Sequence, residues 1–435
     1  MNYRNPTAAF ILSIALVLGA QSSVASEQSI SLVDAIRFTM ESNPRFRTYQ
    51  LRSQALAGEL QTADQKPVLR VSTEIENVLG TGDLNWFQGT ELSLSLSQVI
   101  EMGDKRFLRT NTVNRRHNLL LAEQQVLELD LLSEATSRYI ELATIEEIQV
   151  LLARATDLAQ ISFEAVSSRV VAGRAPEAER ARATAALALA ELAQNSAGFD
   201  VAAAKLKLSS LWGELQPEFG STEARLMEVE ELSDINLLLQ KLEENPEIQV
   251  FASESRLREA ELRAARSQRK ADIEVGAGIR HLAELNDTAL IFQASIPLST
   301  KQRASGAITT AQANLLRVDS EREAAVLRMK AQLLTLTQQR MRAVNEFTLL
   351  QESVLPQLEN ALDSTRAAFE SGRYSYLELS AAQQQLLDAQ LSLIEAASRA
   401  HLLRVEIERL SGETYKQLNL PNRETPDVFS GATSR

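Results

Sequence analysis

From Thr90 to Ile100 the chain reads "TELSLSLSQVI", leucine and serine alternating with period two. That spacing predicts a β-strand with Leu92, Leu94 and Leu96 on one apolar face. "TALIFQASIPL" repeats the pattern, with Leu290, Phe292, Ala294, Ile296 and Leu298 on one side. Each stretch has a strand candidate before it, "VLRVSTEIEN" and "DIEVGAGIRHL", so strands are expected at about 68–77, 90–100, 272–282 and 288–298. About ten residues is the length that crosses hydrocarbon when a strand is tilted.

The rest of the pattern is helical. Neither Gly nor Pro occurs between Asp104 and Ala172, which predicts a rod about 100 Å long at 1.5 Å per residue. A second rod runs from Ala307 to Ser371 and is interrupted only by Pro356, where a kink is expected. In the returning segments Ala183, Ala186, Ala190, Ala193 and Ala197, and again Ala382, Leu386, Ala389, Leu393, Ala396, Ala400, Leu403, Ile407 and Leu410, recur at three and four. That is the seam of a left-handed coiled coil, narrow enough for close helix approach.

The chain is written twice. "ESNPRFRTYQLRSQALAGEL" from Glu41 returns as "EENPEIQVFASESRLREAEL" from Glu243, "RVVAGR" ending at Arg174 returns as "AFESGR" ending at Arg373, and "LWGE" at Leu211 returns as "LSGE" at Leu410. The expected organisation is a first repeat over 30–214 with its helical hairpin at 104–213, a linker over 215–234, and a second repeat over 235–413 with its hairpin at 301–412. The fold class is therefore mainly α with a small β part. Residues 1–26, with Arg4, an apolar run and small residues at Ala25 and Ser26, read as a signal peptide. The polar tail 414–435, with Pro421 and Pro426, reads as disordered.

Composition narrows the function. The chain has no cysteine among its 435 residues, which excludes disulfides, thiolate chemistry and a lipidated cysteine. A formal net charge of -12 is unsuited to nucleic acid. His117, His281 and His401 stand apart without metal-ligand spacing, and no nucleophile, phosphate-loop or paired-acid motif is present, so no catalytic residue, metal site or cofactor is expected. Four strands cannot close a barrel, and an open edge is not tolerated in lipid. The chain must oligomerise, and 8, 12 or 16 strands would follow from a dimer, trimer or tetramer.

The order of elements, strand pair plus long helical hairpin twice over, resembles the TolC-like outer-membrane efflux proteins. "STEIENVLGTGD" from Ser72, "LSLSQVIEMGDKR" from Leu94, "RVVAGRAPEAERARA" from Arg169, "GRYSYLELSAAQQQLLDAQ" from Gly372 and "EIERLSG" from Glu406 are similar to the branch serving cobalt, zinc and cadmium efflux (CzcC-like). The resemblance implies a homotrimer with a 12-stranded barrel in outer-membrane lipid, continued by an α-helical tunnel through the periplasm. It implies a passive exit duct, working with a periplasmic adaptor (membrane fusion) protein and an inner-membrane RND pump. The sequence departs from the branch at Asp104, usually a second Gly, at Ala368, often Arg, and at Ala381, often acidic. A periplasmic coiled-coil scaffold is the alternative, as is the same duct serving drug efflux or type I protein secretion.

Several residues carry these expectations. Gly173 and Gly372 sit where each hairpin turns back, with Arg174 and Arg373 beside them; by resemblance this is the periplasmic tip and the adaptor's docking point. Glu378 and Glu179, six residues beyond each Gly, are candidates for a carboxylate ring constricting the tunnel, or else ordinary first-turn glutamates. Leu92, Leu94, Leu96, Leu290, Phe292 and Ile296 are the expected lipid-facing residues. Trp86 and Phe87 suit an interfacial belt or simply pack their loop.

Overall fold

The computed structural model describes residues 29–79, 81–82, 87, 89–230 and 234–412. The leader, the C-terminal tail and Trp86 lie outside them. In the first repeat α1 (Leu32–Ser42) and α2 (Arg45–Ala63) lead to β1 (Leu69–Glu76) and β2 (Glu91–Ile100), followed by α3 (Lys105–Val171) and α4 (Glu177–Ser209). The second repeat has α5 (Ile235–Lys241), α6 (Pro246–Ser267), β3 (Ile273–Leu282), β4 (Asp287–Ser295), α7 (Thr300–Arg303), α8 (Ser305–Leu349), α9 (Leu355–Glu370) and α10 (Tyr376–Ser411).

The two signatures that recur in each repeat meet in space. Asn43 donates its side-chain amide to the Leu211 carbonyl at 2.7 Å, and Asn245 donates to those of Arg409 and Leu410 at 2.7 and 2.9 Å. The same asparagines accept from the backbone N–H groups of Arg45 and Glu247, which starts α2 and α6. Asn-Pro at the head of one helix is therefore tied to Leu-x-Gly-Glu at the end of the returning one. Both asparagines are buried, so losing either would strand carbonyls at a helix end.

The strands form one antiparallel sheet in the order β1-β2-β3-β4, with β1 and β4 as its edges. Its central pair joins the repeats, Leu94 opposite Ile279 and Leu96 opposite Ala277. The helices form a wall: α4 packs on α3, α3 on α10, and α10 on α8, while nearer the sheet α6 lies between α3 and α8. Cross-repeat ties run along the α3–α10 seam, from Gln383 to Ser162 at 2.9 Å, Thr144 to Ser398 at 2.8 Å and Arg409 to Asp130 at 3.0 Å.

α3 is continuous for 67 residues. Its counterpart is broken by a π-helical turn at Leu350–Val354, directly before α9, whose second residue is Pro356. Pro356 has no N–H to donate, and the widened turn accommodates the ring without ending the rod. Among the described residues no helix is long and apolar enough to cross a membrane.

The segment between the repeats is strapped to the wall. Leu226 packs with Phe347, Ile394, Ala396 and Ala397. Arg340, buried on α8, donates to the carbonyls of Ala400 and Glu230, and His401 bonds the Leu226 carbonyl at 2.9 Å.

Candidate functional site

Cross-strand register sorts the sheet into two faces. Val71, Leu96, Ala277 and Phe292 form one paired row; Thr73, Leu94, Ile279 and Leu290 form the next. These side chains point outward and are uncovered: Leu92, Leu94 and Leu96 are 45–47% exposed and Phe292 is 79% exposed. An apolar face this continuous is a surface for another apolar phase. Ile296, also exposed, lies one residue beyond β4.

The other face is polar and crowded. Arg280 reaches Glu91 at 2.9 Å, Glu76 at 3.1 Å and the Ser93 hydroxyl at 3.0 Å, while Ser97 donates to Glu274 at 2.9 Å. Ser93 and Ser97 are buried although no second layer covers the sheet. Arg280 and Glu274, bonded to them, help to cover them. Gly276 and Gly278 bring β3 close to β2: a Cβ on Gly278 would lie 2.5 Å from the Leu94 carbonyl oxygen, and one on Gly276 would lie 3.1 Å from that of Leu96. Glycine in a strand interior permits this close approach. Neither glycine was singled out in the sequence, because an alternation count scores them as neutral.

Where strands become helices, the repeats are pinned together. Lys105, the first residue of α3 and only 7% exposed at its side chain, pairs with Asp272 at 2.8 Å just before β3. Burial pushes the Asp272 carboxyl up, but the Lys105 ammonium, the Met102 N–H and Arg109 outweigh it and hold it below the usual range. Asp104 adopts φ 57°, a left-handed conformation that favours glycine.

At the far end both hairpins close with the same motif. Gly173 and Gly372 have φ 70° and 76°; Arg174 N–H donates to the Arg169 carbonyl at 2.8 Å and Arg373 N–H to that of Ala368 at 2.9 Å. These are Schellman caps, which require the positive φ. Arg174 and Arg373 are exposed, and Arg373 donates to the Ser371 hydroxyl at 3.0 Å.

The two glutamates differ. Glu378 completes a capping box: its carboxylate accepts from the Ser375 N–H at 3.1 Å and from the Ser375 hydroxyl. The hydroxyl's bond, then the helix-start N–H groups, hold this exposed carboxyl below the usual range. Glu179 lies in the first turn of α4, and among the described residues it forms no ion pair with Arg182. The residue sequence reasoning missed is Arg169. Its guanidinium donates to the Phe369 carbonyl at 3.0 Å and stacks 4.5 Å from the Phe369 ring, tying the first hairpin's tip to the second's. Below it Val166, Ala183, Leu362, Phe369, Tyr376 and Leu379 form one buried cluster drawn from both hairpins.

Residues 237–413 match the family model described as outer membrane efflux protein. The chain is 25% identical over 320 residues to the cobalt-zinc-cadmium resistance protein CzcC of Cupriavidus metallidurans, covering 72% of this chain and 75% of that one. Among solved structures it is similar to a membrane protein from Pseudomonas aeruginosa, with TM-score 0.71 and 15% identity over 94% of this chain and 96% of that one. It is also similar to the Campylobacter jejuni CmeC outer membrane channel, with TM-score 0.70 and 14% identity over 96% and 97%. The structural matches cover the first repeat as fully as the second, and the apolar outer face of the sheet and the rods agree with them. The second repeat carries the match to the outer membrane efflux proteins, the likeness to CzcC runs over 72% of the chain, and the fold is that of solved outer-membrane channels.

Proposed function

We propose that three copies close head to tail into a 12-stranded barrel and a helical tunnel, serving as the passive exit duct of a tripartite pump. The observation that carries this reading is the placement of free edges. The first repeat contributes β1 to one edge of the sheet and α4 to one edge of the wall; the second contributes β4 and α8 to the opposite edges. Closure is then heterologous, the first repeat of one copy against the second repeat of the next, and it repeats around a ring without leaving an edge in lipid. Exposed apolar residues on both edge helices support it, Leu189, Leu192 and Phe199 on α4 and Leu327, Leu334 and Met341 on α8.

The cargo is heavy-metal cations, on the strength of the likeness to CzcC. A channel needs no tight ligand for its cargo, since strong binding would slow exit. The tip turns at Gly173–Arg174 and Gly372–Arg373 dock the periplasmic adaptor, which links the duct to an inner-membrane RND pump, and Glu378 and Glu179 are the constriction candidates. Deleting the gene and complementing it tests the cargo: lost resistance to zinc, cobalt or cadmium with unchanged resistance to dyes and detergents supports the reading, and the reverse pattern overturns it. Purified protein that runs as a heat-sensitive trimer supports the assembly; a monomer in detergent and in membranes rejects it.

A further inference from the structure

The outward apolar band ends, where strands join helices, in basic residues that no ion pair consumes. Lys66 precedes β1, Arg269 and Lys270 precede β3, and Lys301 and Arg303 follow β4. In a single copy all five are exposed, and among its described residues none has an ion-pair partner. The acids at this level are already engaged: Asp64 holds Arg106 at 2.8 Å, Asp272 holds Lys105 at 2.8 Å, and Glu101 holds Arg109. Asp104 is the exception.

Several of these junctions are tied together. Thr300 donates to the Arg269 carbonyl at 2.8 Å, placing Lys301 next to Arg269. The aliphatic stem of Lys270 lies over Gly103, and Arg106 donates to the Asp64 carbonyl at 2.6 Å, two residues from Lys66. The basic residues therefore stand at the strand–helix junctions of β1, β3 and β4 alike.

The helix dipole does not explain the start of α3: a helix start favours acids, yet α3 leaves the sheet with Lys105-Arg106 and no acid in its first turn. Lys301 and Arg303 both fall within the four residues of α7. At the other end of the strands the sign reverses, with Glu76, Glu91, Glu284 and Asp287 around the single Arg280. A bundle indifferent to its surroundings has no reason for this polarity.

We propose that these basic residues bind the phosphate headgroups of anionic phospholipids in the inner leaflet of the outer membrane, the acyl chains lying on Val68, Leu69 and Val71. The strand–helix junction faces the periplasm, so this is the leaflet made of phospholipid, and the cations adjoin the apolar band where headgroups must lie. The inference rests on the membrane barrel and not on the cargo or the pump.

The test compares the full-length channel with a variant carrying Lys66→Gln, Arg269→Gln, Lys270→Gln, Lys301→Gln and Arg303→Gln. Each is placed in nanodiscs of phosphatidylcholine with and without phosphatidylglycerol, and retained lipid is counted by native mass spectrometry. The wild type should enrich phosphatidylglycerol over phosphatidylcholine by about fivefold or more, since each basic residue near an anionic surface adds about that factor. The enrichment should collapse at about 1 M salt, where the screening length is near 3 Å. The variant should insert normally and lose it, whereas Arg174→Gln with Arg373→Gln at the far end should keep it. Equal retention of both lipids by the wild type, or undiminished enrichment in the variant, overturns headgroup binding by these residues while leaving the barrel standing. Failure of the wild type to insert into either bilayer overturns both.

Discussion

Two hairpin tips close with the same backbone. At Gly173 and at Gly372 the chain takes a positive φ, and the following arginine bonds back five residues. The first tip has little else: α4 begins after Pro176 with no side-chain cap. The second begins α10 with the Ser375–Glu378 capping box, buries Phe369, Tyr376 and Leu379 against Val166 of the first hairpin, and receives the Arg169 guanidinium on its last turn. Arg169 has Ala368 as its counterpart in the repeat, buried and without a side chain to return the contact. The rods differ likewise, one continuous and one broken at Leu350–Val354. Duplication therefore copied the turn and divided the labour: the unbroken hairpin holds, and the hairpin with a π-turn is held.

Introducing arginine on the sheet's outer face asks whether the halves are equivalent in lipid. Leu94→Arg in β2 and Phe292→Arg in β4 should each cost about 2–4 kcal/mol per chain near the bilayer centre and block trimer assembly. Gln293→Arg, one residue on and facing the enclosed side, should assemble. Heat-modifiable trimer on gels checks this; assembly of Phe292→Arg but not Leu94→Arg would mean that only the first repeat's strands lie in lipid.

A smaller effect is expected at the glycines, which break the likeness between β1 and β3. Where β3 has Gly276 and Gly278, the first repeat places Ser72 and Glu74. Gly278→Ala drives a methyl toward the Leu94 carbonyl at 2.5 Å and should cost about 1–3 kcal/mol. Ser72→Ala loses only the 2.8 Å bond to Ser95 and should be nearly neutral. Equal midpoints of thermal trimer dissociation for the two variants would remove the glycines' role in the close approach of β3 to β2.

Much of this was legible in the sequence. Alternation in "ELSLSLSQVI" located a strand and its apolar face, Gly-Arg located both turns, and the recurring Asn-Pro and Leu-x-Gly-Glu marked the repeats, because each signal is local and periodic. What was not legible is what the chain brings together over distance. Asn43 meets Leu211, Lys105 meets Asp272 and Arg169 meets Phe369 across 167 to 200 positions. No spacing rule announces such partners. Glu378 shows the converse: read in the sequence as a ring carboxylate or an ordinary first-turn glutamate, it closes a capping box with Ser375, three residues before it.

The Arg169 tie can be cut without disturbing either turn. Arg169→Met keeps the aliphatic stem against Phe369 and removes a charge-assisted hydrogen bond and a cation–π contact, worth together about 1–2 kcal/mol at this half-buried position. Amide exchange should accelerate at Phe369–Tyr376 and stay unchanged at Arg174–Glu179. Arg373→Met, whose side chain bonds only Ser371 in its own turn, should leave both tips unchanged. Acceleration at both tips in Arg169→Met would mean that the hold is mutual.

The smallest structural effect is expected at Glu378, where the cap and the proposed ring make separable predictions. Glutamine serves the third position of a capping box nearly as well as glutamate, so Glu378→Gln should leave trimer stability almost unchanged near neutral pH. Because the capping bonds depress the carboxyl's folded-state pKa, its contribution is present above the unfolded pKa and is lost as pH falls through the folded one. Glu378→Gln should therefore differ from the wild type in how tip amide exchange responds to acid, with the variant flat. The ring acts on ions instead of on the fold. Three carboxylates around a narrow entrance interact with a multivalent cation far more strongly than one exposed carboxylate does, so the variant in a planar bilayer should lose cation preference and resist block by divalent ions from the periplasmic side. Glu179→Gln provides the comparison between repeats: its carboxylate is not committed to a cap, and an equal loss of block there would place the constriction on both hairpins. Unaltered conductance, selectivity and block in both variants, with the acid response still lost in Glu378→Gln, would leave Glu378 as a helix cap and nothing more.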